Sequence, residues 1–256
     1  MNSTTNIQVS VAGHVATVML RRPPHNFVDV ASMTELADAL QALDADDNCR
    51  SIVLGSEGKS FCAGANFTAV PGGGPVLDSA ALYAQAMRLF RVRKPIIAAL
   101  QGPAIGAGAG LALVADFRIA CPASRFSVNF NRLGFHPGFG LSCTLPRLVG
   151  MQVAARLFYT GERVGGERMV EMGIADELVP NEELDERAQA LAREIAISAP
   201  QAVQTTRETL RLGLADQVQA INARELDIQR PQFASQDFRE GVAAAAERRI
   251  PVFNGR

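Results

Sequence analysis

Lys94-Pro-Ile-Ile-Ala-Ala-Leu-Gln-Gly-Pro-Ala-Ile-Gly-Ala-Gly-Ala-Gly-Leu-Ala-Leu-Val-Ala-Asp116 is the stretch that decides the fold. The apolar run 96–100 is long enough for a buried strand and too short for a helix. Gln101-Gly102-Pro103 breaks it. Gly106, Gly108 and Gly110 then alternate with alanines before a second apolar run that ends at Asp116. The pattern predicts a strand, a tight turn and a helix start crowded with tiny residues. First-turn N–H groups lack intrahelical partners and sit at the positive end of the helix dipole. With no bulky side chains in the way, a ligand oxygen can reach them. The stretch reads as a seat for an anion or a polarised carbonyl.

The neighbouring chain supplies the units around it. Residues 7–20 read as two short strands about a turn at Ala12-Gly13, the second buried on both faces. Asp29 or Ser32 is expected to cap a helix to about Leu43, with Met33, Leu36, Ala37, Leu40 and Leu43 on one face. Ser51-Ile-Val-Leu-Gly55 is a strand leading into the Gly-rich turn Phe61-Cys-Ala-Gly-Ala-Asn66. Pro71-Gly-Gly-Gly-Pro75 is expected to be a loop over the site. A helix from about Ser79 to Val92 precedes the opening stretch, and a further strand starts at Asp116. Strands and helices alternating at these lengths argue for parallel βαβ units. Phenylalanines 126, 130, 135 and 139 are interleaved with Asn129, Asn131 and His136. Beyond Gly150 the chain reads as helical almost throughout, with helices near 181–196, 200–213, 215–232 and 236–248. Ser198 and Ser235 are expected caps, and Pro200 suits a first turn. The α/β body is assigned to residues 1–199 and a helical region to 200–256.

Composition bounds the function. The chain has 256 residues, 48% hydrophobic and 20% charged, enough for one large core. A net charge of −1 gives no global attraction to nucleic acid or anionic lipid. Cys49, Cys62, Cys121 and Cys143 are scattered without metal-ligand spacing, so reduced structural thiols and no metal are expected. The amino terminus has no secretory pattern and no run is long enough to span a bilayer, which points to the cytoplasm.

Phe61-Cys-Ala-Gly-Ala-Asn66, Lys94-Pro-Ile-Ile-Ala-Ala with Gly102 and Gly106-Ala-Gly, and Leu133-Gly followed by Pro-Arg-Leu-Val-Gly150 resemble the enoyl-CoA hydratase/isomerase (crotonase) superfamily. The tail from Glu240 to Gly255 is similar as well. The resemblance implies an α/β spiral of ββα repeats with a C-terminal helical trimerisation region, and a homotrimer or homohexamer. It also implies an acyl-CoA thioester ligand, with coenzyme A entering as part of the substrate and no separate cofactor. In that family two backbone N–H groups polarise the thioester carbonyl. The matching positions here are Ala65 and Ala107. Such fixed donors form an oxyanion hole, aimed at charge that develops during reaction.

The same comparison places the two hydratase glutamates at Gly110 and Phe130, and an isomerase acid at Gly138. None of these is a carboxylate, and hydration needs an acid/base group within hydrogen-bond reach. His136 and Tyr83 are the remaining candidates for moving a proton. Each has a plainer reading: His136 can hold its turn through a backbone hydrogen bond, and Tyr83 can line a pocket. By the same resemblance, Arg22 and His25 run past the nucleotide. Ala63 and Gly64 present backbone to the adenine end, and Arg248 or Arg249 reaches a neighbouring subunit's CoA phosphates, each charge being open to a reading as an ordinary solvated one. Gly106, Phe130 and Phe135 are taken as substrate-binding. The basic run Arg88, Arg91, Arg93 and Lys94 is expected to be a solvated face. Two functions stay open: an enzyme that stabilises an enolate, isomerase- or decarboxylase-like, and a non-catalytic acyl-CoA-binding protein. The phenylalanines suit either a bulky acyl group or a plugged pocket.

Overall fold

A computed structural model describes residues 5–65 and 78–256. The loop Pro71–Pro75 and Asn66 lie outside the described residues. In chain order the body runs β1 (Ile7–Ala12), β2 (Val15–Leu20), α1 (Val30–Ala45), β3 (Ser51–Ser56), α2 (Ser79–Leu89), β4 (Ile96–Leu100), β5 (Pro103–Ile105), α3 (Ala107–Ala112), β6 (Phe117–Ala120) and β7 (Arg125–Ser127). A 3-10 turn, Asn129–Leu133, precedes α4 (Leu141–Val149), α5 (Met151–Thr160), β8 (Val164–Gly165), α6 (Gly166–Glu171) and β9 (Glu177–Leu178). The remainder is helical: α7 (Leu184–Ala196), α8 (Pro200–Leu210), α9 (Leu214–Gln232) and α10 (Gln236–Glu247).

The main sheet has the order β1-β2-β3-β4-β6-β9. Only the β1–β2 pair is antiparallel; the crossovers between the others make them parallel. A smaller sheet, β5-β7-β8, stands beside it. Strand alternation divides the core. Ile96, Ala98 and Leu100 face one side, with Leu36, Leu40 and Leu82 of α1 and α2. Ile97 and Ala99 face the other, with Leu184, Ala188 and Ala192 of α7. Being covered on both faces is why β3 and β4 are buried at every position, with apolar side chains at Ile52–Leu54 and throughout β4.

Helix signals behave as their chemistry requires, with a few corrections. Asp29 caps α1 and accepts from the Ser32 N–H, while the Ser32 side chain closes the reciprocal bond; the two candidate caps act as one capping box. Ser235 caps α10. Ser198 does not cap α8, which is entered through Ala199 with Pro200 in its first turn. The basic run is not a solvated face at Lys94. That residue is buried, and its Nζ donates to the carbonyls of Leu43 and Asp46 at the C-terminal end of α1. Arg88, Arg91 and Arg93 pair with Asp38, Asp216 and Asp44. The four cysteines are free, and burial pushes the Cys62 thiol up to about 12.

Asp116 locks the helical region onto the sheet. Its carboxylate accepts from the Ile96 N–H at 2.8 Å, from Arg207 Nε at 2.8 Å and from Arg211 Nη1 at 2.7 Å. Arg207 is itself buried. The helix α8 is thereby fixed, and α9 packs against α2 and α4. No helix among the described residues is long and apolar enough to cross a membrane.

Candidate active site

The two glycine-rich turns meet because their glycines let the backbones close on each other. A Cβ on Gly108 would sit 1.9 Å from the Cys62 carbonyl oxygen, and one on Gly64 would sit 2.7 Å from the Ile105 carbonyl oxygen. Only glycine permits this approach. Ladder-like bonds then hold the turns together: Cys62 N–H donates to Pro103 O at 3.0 Å, and Ile105 N–H to Cys62 O at 2.9 Å. The Gly64 carbonyl is used by Val28 N–H at 2.9 Å. Gly106 takes φ +56° and ψ −117°, which an L-residue rarely adopts, and so turns the chain into α3.

Ala107 is therefore the first residue of α3, with no intrahelical partner for its N–H. The helix is only six residues long. The electrostatic work expected from a helix dipole thus falls instead on the individual N–H groups.

A cavity of about 60 Å³ opens at this junction. Ala63, Gly64, Ala65, Ile105, Gly106 and Ala107 form its polar, backbone side; Tyr83, Asn129, Phe130, Leu133 and Phe135 form its other wall. The structure thus brings together Ala63, Gly64, Ala65, Gly106, Ala107, Tyr83, Phe130 and Phe135 of the residues expected from the sequence. The others lie outside this lining. His136 Nδ1 is 2.7 Å from the Pro137 carbonyl, and its N–H donates to Gln232. Arg22 is engaged by Asp29 and by the Phe27 carbonyl. His25 faces Ser60 Oγ at 3.3 Å, and Arg249 pairs with Glu240 and Glu247. A roomier groove of about 510 Å³ lies between α7 and α8, but it shares no residue with the glycine turns.

Tyr83 is the one titratable side chain among the described residues that line the cavity. Burial pushes its phenol well above the usual tyrosine range, and the nearby Glu225 carboxylate pushes the same way, against a side-chain hydrogen bond with Gln229. Tyr83 is neutral at ordinary pH. It can give a proton or a hydrogen bond, and it cannot act as a base.

Positions 110 and 138 are closed by their neighbours. A Cβ on Gly110 would lie 2.6 Å from the Phe139 ring, and one on Gly138 would lie 2.6 Å from both Tyr83 Oη and Gln229 Nε2. No side chain of any kind fits at either place without displacing these groups.

Behind the cavity, α9 presents buried polar residues that sequence reading did not single out. Glu225 accepts from the N–H groups of Gly140 at 2.7 Å and Ser142 at 2.9 Å. Burial outweighs those bonds and raises its carboxyl to about 7. Gln229 donates to the His136 carbonyl at 2.8 Å, while its own Oε1 is buried without a partner among the described residues. Asn222, Glu225 and Gln229 follow helical spacing, which would have marked them as one face of α9 but not as a buried one.

Residues 10–256 match the enoyl-CoA hydratase/isomerase family model, and the chain belongs to that family. It is 34% identical over 261 residues to the 1,2-epoxyphenylacetyl-CoA isomerase of Escherichia coli (strain K12), covering 94% of this chain and 95% of that one. It is 31% identical over 258 residues to a carnitinyl-CoA dehydratase of Proteus mirabilis (strain HI4320), covering 98% and 99%. Its fold matches the crystal structure of an enoyl-CoA hydratase/isomerase from Pseudoalteromonas atlantica T6c with a TM-score of 0.88 and 28% identity, covering 97% of this chain and 100% of that one. The fold is the crotonase-like α/β fold.

Proposed function

We propose that this protein is an enzyme acting on acyl-CoA thioesters through an enolate, without two-glutamate hydration. The observation that carries the reading is the cavity itself: two glycine-turn backbones on one side, and Tyr83 as the one titratable lining group among the described residues. The N–H groups of Ala65 and Ala107 receive the thioester oxygen and stabilise the charge that develops there. At the two positions where family resemblance places hydratase glutamates stand Gly110 and Phe130. The first of these is filled by the Phe139 ring.

The neutral phenol selects among reactions. A malonyl-type thioester forms its enolate by breaking a C–C bond. The electron pair moves onto the thioester oxygen at the hole, carbon dioxide leaves, and Tyr83 Oη–H protonates the α-carbon before regaining its proton from water. No base is required. Double-bond isomerisation is the neighbouring possibility, the relative from Escherichia coli being named an isomerase; it reaches a dienolate by loss of a proton from carbon, which requires a base from outside the described lining. The helical region from Pro200 onward is proposed to mediate self-assembly into trimers or hexamers, and Arg249 and Arg22 to meet the CoA portion.

Turnover of malonyl- and enoyl-CoA esters by the wild type, lost on Tyr83→Phe, supports this reading. Saturable binding of every ester with no product would favour the non-catalytic alternative. That alternative draws on the lack of a carboxylate in the described lining.

A further inference from the structure

Phe139 is fully buried and holds a left-handed backbone, φ +65°. A bulky residue with positive φ is an outlier that the surroundings must enforce. The enforcement is visible. The next residue, Gly140, also has positive φ, and a Cβ there would strike Val218 of α9. Glu225, from the same helix, takes the N–H groups of Gly140 and Ser142 on its two carboxylate oxygens. The turn is pinned from both directions, and its product is the place of one ring.

That ring lies over Gly110, one turn along α3 from Ala107. It meets Tyr83 edge-on at 5.8 Å and Phe90 at 6.4 Å. Tyr83 and Ala107 line the cavity, and Phe139 fills the space behind them. The space in front is about 60 Å³. Sites that hold whole drug-sized ligands are roughly 300–1,000 Å³. Only a few non-hydrogen atoms of an acyl group fit.

Resting on the acyl-CoA reading, we infer that Phe139 is the residue that limits acyl length at this site. Glu225 is its positioning residue, acting through the Gly140–Ser142 backbone. The substrate class is short acyl thioesters, not long-chain or ring-bearing ones.

The test measures dissociation constants of acetyl-, butyryl-, octanoyl- and phenylacetyl-CoA for the full chain by calorimetry. Wild type binds butyryl-CoA at least about tenfold tighter than octanoyl- or phenylacetyl-CoA, an overpacking penalty of ordinary size. Phe139→Ala removes that preference, and Phe139→Leu, which keeps more of the packing, shifts it in the same direction by less. Glu225→Gln also lowers the butyryl-to-octanoyl ratio, whereas a general structural defect would weaken all four esters together. Wild type binding long and short esters equally, or ratios unmoved in both Phe139 variants, overturns the inference and leaves the acyl-CoA reading standing. Failure of all four esters to bind overturns both.

Discussion

Replacing Glu225 by glutamine should change the pH dependence of stability in a calculable way. Two opposed effects act on this carboxyl: burial favours the neutral form, and the N–H groups of Gly140 and Ser142 favour the anion. Burial wins, with a folded value of about 7 against an ordinary 4.5. The folded state is therefore the weaker acid. Its stabilising contribution is whole below pH 4.5 and is lost as pH rises through about 7. Between those limits the folded chain keeps a proton the unfolded chain has released. Stability then falls by about 1.4 kcal/mol per pH unit, or about 3 kcal/mol across the window. Tyr83 and Cys143 are the titratable neighbours, and burial keeps both neutral over that range. The assay is urea unfolding of wild type and Glu225→Gln at half-unit pH steps and fixed protein concentration, since assembly would shift the apparent stability. The wild-type curve should drop relative to the variant between pH 4.5 and 7 and run parallel to it above. Curves parallel throughout would refute the claim that burial dominates at this carboxyl.

Three other outcomes follow from the same geometry. Ala107→Pro deletes one proposed oxyanion donor at a first-turn position where proline is tolerated; turnover should fall by about 10²–10³ with little change in unfolding midpoint. Tyr83→Phe should lower turnover by about 10²–10⁴ while ester binding, measured by calorimetry, stays near wild type. Asp116→Ala leaves Arg207 and Arg211 facing each other without their shared carboxylate and should cost about 3–5 kcal/mol in denaturant unfolding.

What the sequence discloses, and what it conceals, divides by the range of the interactions. The strand at 96–100, the break at Gly102 and the glycine turn are written in adjacent residues, and so are the caps at Asp29 and Ser235. The pairing of Ala65 with Ala107 came from the family resemblance of the two glycine turns, and both residues line the one cavity. Lys94 looked like part of a surface run, because its partners, two carbonyls at the end of α1, lie about fifty residues away. Glu225 and Gln229 sit in a helix of mixed polarity, and nothing local says that their face is buried against the Gly138–Ser142 turn. Phe139 is the sharpest case. Its left-handed backbone depends on Val218 and Glu225, far along the chain, so its ring could be read equally as a pocket wall or as a plug.

The proposed chemistry needs a backbone oxyanion hole and a neutral phenol, and positions 110 and 130 carry no carboxylate. Mass spectrometry of the products from a panel of malonyl-, 3-enoyl- and 2-enoyl-CoA esters tests it most directly. Loss of carbon dioxide or a shifted double bond at unchanged mass is expected, with no product heavier by one water. A hydrated thioester as the main product, or no product from any ester, would contradict it.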